Sequence, residues 1–265
     1  MSQPFRGLHL DIRAHGALAD FVCPPPDAID DLAAEALERR SPHNVVRLVR
    51  GQPLPGDTSE SNRFTRARRT LLDWQREGIL KRETDPAFYL YEAEVPGQGR
   101  THLRRMLFCL DALEDVPAAA TDARRLMMAC HTSFSPAVLS VGDDDGALED
   151  LLDRMHYDAD DLRGEWRGED GVLHSFKAVN GAHYAGTVAA ALSGKARAIV
   201  DGREEIAAAV ALRDWARREN PDFGPASPEG FVLSALVSSR DALRVAGAPR
   251  VPSGLVLNKI DGLTL

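Results

Sequence analysis

The sequence has little of what marks secreted and membrane proteins. Only 3 of its 265 residues are cysteines, and Cys23, Cys109 and Cys130 are too widely spaced for a Cys-x-x-Cys motif. This usage predicts a reducing compartment and no disulfide bonds. No apolar run reaches the length of a membrane span, and residues 1–6 contain no apolar signal core. We therefore expect a cytoplasmic protein with no membrane partner.

An excess of positive charge is also missing. Lysine and arginine number 32 against 40 aspartates and glutamates, so the net charge is −8. A nucleic-acid surface usually needs a basic face, so we expect no nucleic-acid partner. With 44% hydrophobic residues the chain reads as a globular protein able to bury a substantial core. We predict one compact domain over residues 1–265, with residues 221–228 as the best candidate for a boundary.

Strand and helix patterns alternate along the chain, with hairpins between them. Apolar segments predict strands at residues 45–49, 137–141, 198–201, 231–238 and 254–259. Helical spacing and capping residues predict helices at residues 61–77, 121–130, 148–157, 182–192 and from 203 to about 220. Residues 88–95 and 103–113 read as a hairpin with its turn at 97–99, and residues 165–167 and 173–179 as another around 169–171. The pattern predicts an α/β (mixed α+β) fold, a mixed sheet covered by helices.

Two polar segments have structural interpretations. Asp27 is predicted to cap the helix that follows it. Residues 143–145 are three aspartates, but they lack the ligand spacing of a calcium loop, so we interpret them as a solvated loop and helix cap. Arg63 and its neighbours at 66, 68 and 69 are interpreted as a solvated helix face, with an anion site as the alternative.

The stretch from residue 198 to 205 is the strongest candidate for a ligand site. A short apolar strand ends at Asp201, Gly202 makes a turn, and an Ala-rich helix begins at once. In such a turn the backbone N–H groups and the positive end of the helix dipole point at one place. We expect a small ligand to bind there.

The turn resembles the Ala-Asp-Gly-His-His-Arg turn of the bacterial family catalogued as domain of unknown function 1015. Other segments resemble the motifs of that family in the same order. They are residues 41–48 (an Asn-Pro-x-Asn strand), 74–80 with 86–91 (a Trp…Gly-Val-Leu…Pro-x-Phe-Tyr-x-Tyr block), 135–139 (a Ser-Pro-Ile strand) and 170–174 (an Asp-Gly-x-x-His hairpin). The resemblance covers most of the chain, and because relatives are longer we expect C-terminal material to be missing.

The departures from the family pattern bear on function. The paired histidines and the arginine of the turn are replaced by Arg203, Glu204 and Glu205. The family's His-Glu-x-Thr run is replaced by residues 117–121, and its Pro-Tyr-Asp reads Pro-Pro-Asp at residues 25–27. An Asp-Gly-x-His-Arg turn is also similar to the phosphate-binding turn of the ParB and sulfiredoxin-like fold, which includes free-serine kinases. That analogy implies phosphoryl transfer with a nucleotide and Mg²⁺.

Asp201 is the leading candidate for catalysis. At the end of a strand and beside a helix N-terminus, its carboxylate is placed to take a proton from a hydroxyl or to hold Mg²⁺, and an N-cap role is the alternative. His174 matches a family position and has a pKa suited to proton transfer, while a packed or surface histidine is the alternative.

Residues around Asp201 complete the predicted site. Gly202, Arg203, Lys195 and Arg197 are the candidates for contacting the nucleotide phosphates, although surface exposure is the alternative for the three cations. Glu204 and Glu205 would repel a bare phosphate but suit Mg²⁺ together with Asp201, and ordinary first-turn placement is their alternative.

Two functions follow as hypotheses. The first is a divergent phosphotransferase-like enzyme that binds Mg-nucleotide and a small hydroxylated substrate, such as an amino acid. The second is a catalytically silent ligand-binding or accessory protein that has lost the family's His-His-Arg and His-Glu motifs. Its partner would be a second copy of the chain or a longer relative.

Overall fold

The structure, a computed structural model, describes residues 2–96, 101–113, 121–159, 161–168, 171–244 and 250–260. The helices in this part of the chain are α1 (Ile12–His15), α2 (Leu18–Phe21), α3 (Asp31–Arg40), α4 (Val46–Val49), α5 (Arg63–Arg76), α6 (Asp122–Cys130), α7 (Ala147–Asp158), α8 (Gly181–Leu192), α9 (Arg203–Glu219) and α10 (Ser239–Arg244). The strands are β1 (Leu8–Leu10), β2 (Leu80–Arg82), β3 (Ala87–Pro96), β4 (Thr101–Ala112), β5 (Thr132–Ser133), β6 (Ala137–Val141), β7 (Asp161–Arg167), β8 (Leu173–Asn180), β9 (Arg197–Asp201), β10 (Phe231–Ser238) and β11 (Asn258–Lys259).

A seven-stranded sheet organises the fold, in the order β7-β8-β3-β4-β10-β6-β9. Strands β10 and β6 pair in parallel, and the other neighbours pair antiparallel, so the sheet is mixed. Two small antiparallel pairs, β1-β2 and β11-β5, accompany it. The predicted strands at residues 198–201 and 231–238 both lie in the large sheet, which confirms the expected α/β class.

Both faces of the sheet are covered, and the side-chain alternation of β3 shows why. Tyr89 and Tyr91 contribute to a core that includes residues of α3, α4 and α5. Phe88 and Leu90 point the other way, into a core that includes residues of α7, α8 and α9. Because neighbouring residues of a strand face opposite sides of the sheet, a nearly continuous apolar run serves two cores at once.

Most of the predicted elements are confirmed within a few residues. The hairpin strands β3-β4 and β7-β8 pair as predicted, while the turn residues 97–99 and 169–170 lie outside the described part of the chain, as do residues 117–120. Asp143 accepts hydrogen bonds from the N–H groups of Leu148 and Glu149 in the first turn of α7, which confirms the predicted capping, but its side chain is buried and not solvated as predicted. The three cysteines are buried and unpaired.

The strand predicted at residues 45–49 is wrong, because the segment is the short helix α4. Asn44, which is fully buried, accepts a hydrogen bond from the N–H of Val46 and donates to the carbonyls of Asp20 and Val22. The hydrogen bond from the N–H of Val46 to Asn44 starts a helical turn. Burial of Val45 and Val46 is compatible with a strand as well as with a helix, so it does not decide between them. Tertiary packing therefore overrides the β-propensity of the valines.

Two further expectations need correction. Asp30, not Asp27, caps α3, since Asp30 Oδ1 accepts from the N–H of Ala33 at 2.8 Å. The strand predicted at residues 254–259 is reduced to the two residues of β11, although Leu257 forms a separate bridge to Leu8.

Candidate functional site

The turn between β9 and α9 has the form predicted from the sequence. Gly202 is the N-cap of α9 and has φ 81°, in the region that favours glycine. A Cβ at this position would lie 2.7 Å from the Cα of Ala137 on β6, so the turn packs directly against the neighbouring strand. Asp201, which precedes the N-cap, is therefore not the capping residue, and its Oδ1 accepts a hydrogen bond from the N–H of Gly202 at 2.8 Å.

A cavity of about 490 Å³ lies against this turn. Its polar lining comes from distant parts of the chain. The charged residues are Asp27, Arg50, Arg63, Asp122, Asp201, Arg203, Glu204, Glu205 and Arg250, while the apolar ones include Ile29, Leu48, Phe64, Leu126 and Phe134. Such a mixture of apolar walls and convergent polar groups is typical of small-molecule sites.

Arg250 links two of the carboxylates in the cavity. Its Nε and Nη2 donate to Asp201 Oδ2 and Oδ1 at 2.6 and 2.9 Å, in a bidentate arrangement. Its Nη1 donates to both oxygens of Asp27 at 2.8 and 2.7 Å. The guanidinium therefore fixes the position of Asp201, and together with the N–H of Gly202 it takes most of the acceptor capacity of that carboxylate.

Glu205 differs from the other carboxylates of the cavity. It is half-buried in the first turn of α9, and burial raises its pKa to about 7, with the charges of Asp201, Glu204 and Asp27 adding to the effect. Its own backbone N–H is its hydrogen-bond donor, and among the described residues no cationic side chain pairs with it. A half-buried carboxylate of this kind in a cavity is a candidate functional group.

Three arginines other than Arg250 line the cavity. Arg63 pairs with Asp122, and Arg50 donates from Nε to the carbonyl of Ile29 at 3.1 Å. Arg203 is exposed at the start of α9 and forms no ion pair with the described residues. It is therefore the arginine most available to a ligand.

The predicted magnesium ligands Asp201, Glu204 and Glu205 do not lie together as a group of three. Among the residues that the structure describes, no three histidine, cysteine, aspartate or glutamate side chains group closely enough to hold a metal ion. Asp201 is engaged by Arg250, and Glu204 is exposed. Mg²⁺ is usually held by one or two carboxylates together with substrate phosphates and water, so Glu204 and Glu205, which have no ion pair with the described residues, are the carboxylates that would hold it beside a bound nucleotide.

Two of the predicted phosphate-contacting residues lie outside the cavity lining. Lys195 pairs with Asp143 at 2.7 Å and also with Asp145, at the cap of α7. Arg197 pairs with Asp111 on β4 at 2.6 Å. Of the four candidates, the structure brings only Gly202 and Arg203 to the cavity.

His174 is likewise distant from Asp201. It lies on β8, five strands away from β9 in the sheet. Its ring is buried, lies 2.8 Å from the hydroxyl of Tyr91 and stacks on Trp166 with ring centroids 4.7 Å apart. This environment matches the packed histidine that the sequence left as the alternative.

Arg250 is the site residue that sequence reasoning missed. It lies 49 positions from Asp201 and 223 from Asp27, and no motif surrounds it. Asp27 could have been recognised as a site residue from the sequence, because it matches the aspartate of the family's Pro-Tyr-Asp motif. The sequence favours a solvated helix face for Arg63, with an anion site as the alternative, and the structure shows a side chain that is 20% exposed and lines the cavity.

Comparisons with known proteins agree with the sequence motifs. No helix in the described ranges is long and apolar enough to cross a membrane. No curated protein matches the chain. No solved structure matches it either, so the similarity to ParB and sulfiredoxin stays a prediction. The model of one family, described as a protein of unknown function (DUF1015), matches residues 3–262. The chain therefore belongs to the DUF1015 family.

Proposed function

We propose that the chain is a phosphotransferase-like enzyme that binds a nucleotide, with Mg²⁺, and a small hydroxylated, amino-acid-like substrate in this cavity. The observation that carries the proposal is the β9-Gly202-α9 turn, which opens on a cavity of about 490 Å³. A helix N-terminus favours phosphate, and phosphoryl transfer depends mainly on positioning and on positive groups near the phosphate.

The roles of the residues follow from their contacts. Arg203 contacts a phosphate, because it is exposed beside the N-terminus of α9 and is not committed to an acid. Asp201 accepts the proton of the substrate hydroxyl as its oxygen bonds to the terminal phosphorus of the nucleotide. The bond from that phosphorus to its bridging oxygen breaks, and the shortened nucleotide leaves with the electron pair. Three donors already occupy its oxygens, so one acceptor position on Oδ2 is left for that hydroxyl.

Titration with ATP tests this proposal. Calorimetry with and without Mg²⁺ should show binding, and millimolar nucleotide should raise the melting temperature. Arg203→Ala should weaken nucleotide binding, whereas the matched control Arg218→Ala, at the far end of α9, should not. The absence of both heat and thermal stabilisation at millimolar ATP would contradict the proposal.

A catalytically silent ligand-binding or accessory protein is the second candidate. The observation that favours it is the ion pair of Arg250 with Asp201 and Asp27, which turns the predicted base into a structural group. The loss of the family's His-His-Arg donors points the same way, since each charge-assisted hydrogen bond contributes roughly 1.5–3 kcal/mol.

The two candidates differ in what they predict for variants and for assembly. In the silent protein Asp201→Asn leaves partner binding unchanged, and changing Arg203-Glu204-Glu205 to His-His-Arg restores nucleotide binding. The partner is a second copy or a longer relative of the chain. Light scattering separates the cases, because a strict monomer with a tight nucleotide complex excludes the silent protein and a dimer indifferent to nucleotides supports it.

A further inference from the structure

We propose that Glu205 makes the cavity selective for a ligand that carries a positively charged nitrogen, a small organic ammonium, which it binds as an ion pair. This inference rests on the cavity of the proposed function and names the charge of its small substrate. It does not depend on phosphoryl transfer.

The first step is to separate the carboxylates of the cavity by their partners. Asp27 and Asp201 share the guanidinium of Arg250, and Asp122 pairs with Arg63. Among the described lining residues, that leaves Glu204 and Glu205 without an ion pair. Glu204 is exposed to water, so Glu205 is the half-buried carboxylate whose charge the chain itself does not balance.

The second step concerns the charges around Glu205. The wall of the cavity at the turn contains Asp201, Glu204, Glu205 and Arg203 from the turn itself, with Asp27 and Arg250 from other segments. At Glu205 the negative charges of Asp201, Glu204 and Asp27 act together, so this position favours a cation, whereas the exposed Arg203 is the group that a phosphate would contact. The other two arginines that line the cavity, Arg50 and Arg63, are paired with Asp31 and Asp122.

The third step is that this wall already holds one cationic nitrogen group. Two of its carboxylates hold the guanidinium of Arg250, with N–O distances of 2.6 to 2.9 Å. The carboxylate of Glu205 stands close to the same turn, with Oε2 3.3 Å from where a Cβ of Gly202 would lie. A ligand ammonium at Glu205 repeats the pairing seen beside it and balances the remaining buried charge.

A series of three small probes tests the proposal. Ethanolamine, ethylene glycol and glycolate have similar sizes and each carries a hydroxyl, but their charges are positive, neutral and negative. Binding is measured by NMR titration of the full chain at pH 8, where Glu205 is mostly ionised. We expect ethanolamine to bind roughly tenfold or more tightly than either of the other two. Equal binding of all three, or no binding of ethanolamine, would overturn the proposal.

Substitution places the effect on one residue. Glu205→Gln should weaken ethanolamine binding roughly tenfold, while Glu219→Gln, the same change at the exposed end of α9, should leave it unaltered. Circular dichroism of each variant checks the fold, and the wild-type probe series stands on its own if a variant unfolds. If ethanolamine binds but ATP does not, this inference holds and the phosphotransferase proposal fails.

Discussion

Two glutamates, Glu92 on the large sheet and Glu205 in the first turn of α9, show how partners decide the charge state of a buried acid. Glu92 on β3 is 4% exposed, yet its pKa is lowered. Burial alone would raise that pKa, but the hydrogen bond from Arg105 and the charge of Lys177 outweigh it. Burial also raises the pKa of Glu205, and because no cationic side chain of the described residues pairs with this glutamate, its pKa rises to about 7.

The contrast separates a structural acid from a functional one. Arg105, His156, Ser175 and Lys177 all lie within 3.2 Å of the carboxylate oxygens of Glu92. That network is complete without a ligand. Glu205 faces a cavity instead, so its partner has to be a proton or a bound molecule.

The largest expected effect comes from breaking the Glu92 network. Glu92→Gln removes the carboxylate that pairs with Lys177, which is 16% exposed, and one of the two acidic partners of Arg105, which is 20% exposed and keeps Asp153. We expect the free energy of unfolding to fall by about 3 kcal/mol. Urea denaturation at pH 7 measures it through the midpoint at an unchanged slope. A loss no greater than that of Glu219→Gln would show that the network is not stabilising.

The pH dependence of Glu205→Gln is the next largest effect. Because the pKa of Glu205 is higher in the folded state than in the unfolded chain, the native state binds the extra proton between about pH 4.5 and 7. Ionisation at higher pH therefore costs stability, which the variant avoids. The difference in the free energy of unfolding between Glu205→Gln and the wild type should therefore rise by about 2 kcal/mol, in favour of the variant, from pH 5 to pH 8. Parallel stability curves for the two proteins would contradict this assignment.

Glu92 should show the opposite sign in the same experiment. Its lowered pKa means that its contribution is complete above the unfolded value of about 4.5 and is lost as the pH falls below it. Glu92→Gln should therefore flatten the acid limb of the stability curve. A variant with an unaltered acid limb would show that Glu92 is not the group responsible.

A matched glycine pair tests the turn that positions Glu205. Gly202 and Gly194 have φ of 81° and 69°, but only at Gly202 would a Cβ meet backbone, 2.7 Å from Ala137 Cα. Gly194→Ala should lower the free energy of unfolding by about 1 kcal/mol because of its positive φ alone. Gly202→Ala should lower it by about 2 kcal/mol more because of the additional contact with the backbone. Thermal or urea unfolding gives both values, and equal costs would mean that the close approach is unimportant.

The smallest effect on stability should come from Arg250. Its side chain is 39% exposed, so Arg250→Gln should cost no more than about 1 kcal/mol. Without its positive charge, however, Asp27 and Asp201 act on Glu205 uncompensated, and the pKa of Glu205 should rise further. NMR titration of the side-chain carboxyl measures it. An unchanged pKa would show that Arg250 does not influence the carboxylate.

The local parts of the fold could be predicted from the sequence. The apolar strand to Asp201, the glycine turn and the Ala-rich helix are encoded within about 20 consecutive residues, and all three are present. The hairpins and the sheet position of β10 also follow from alternation and apolar runs. In each case neighbouring residues carry the signal, because the periodicity of a strand or helix is a property of short segments.

Only the tertiary structure decided which charges meet. The valine-rich segment at residues 45–49 is a helix because the side chain of Asn44, just before it, donates hydrogen bonds to the carbonyls of Asp20 in α2 and of Val22. Asp27, Asp201 and Arg250 converge from three distant segments, and Lys195 and Arg197 are drawn to other acids. The sequence by itself determined the turn and its acidic residues. The charge state of Glu205 depends on burial and on neighbours brought together by folding, and electrostatic interactions act through space rather than along the chain.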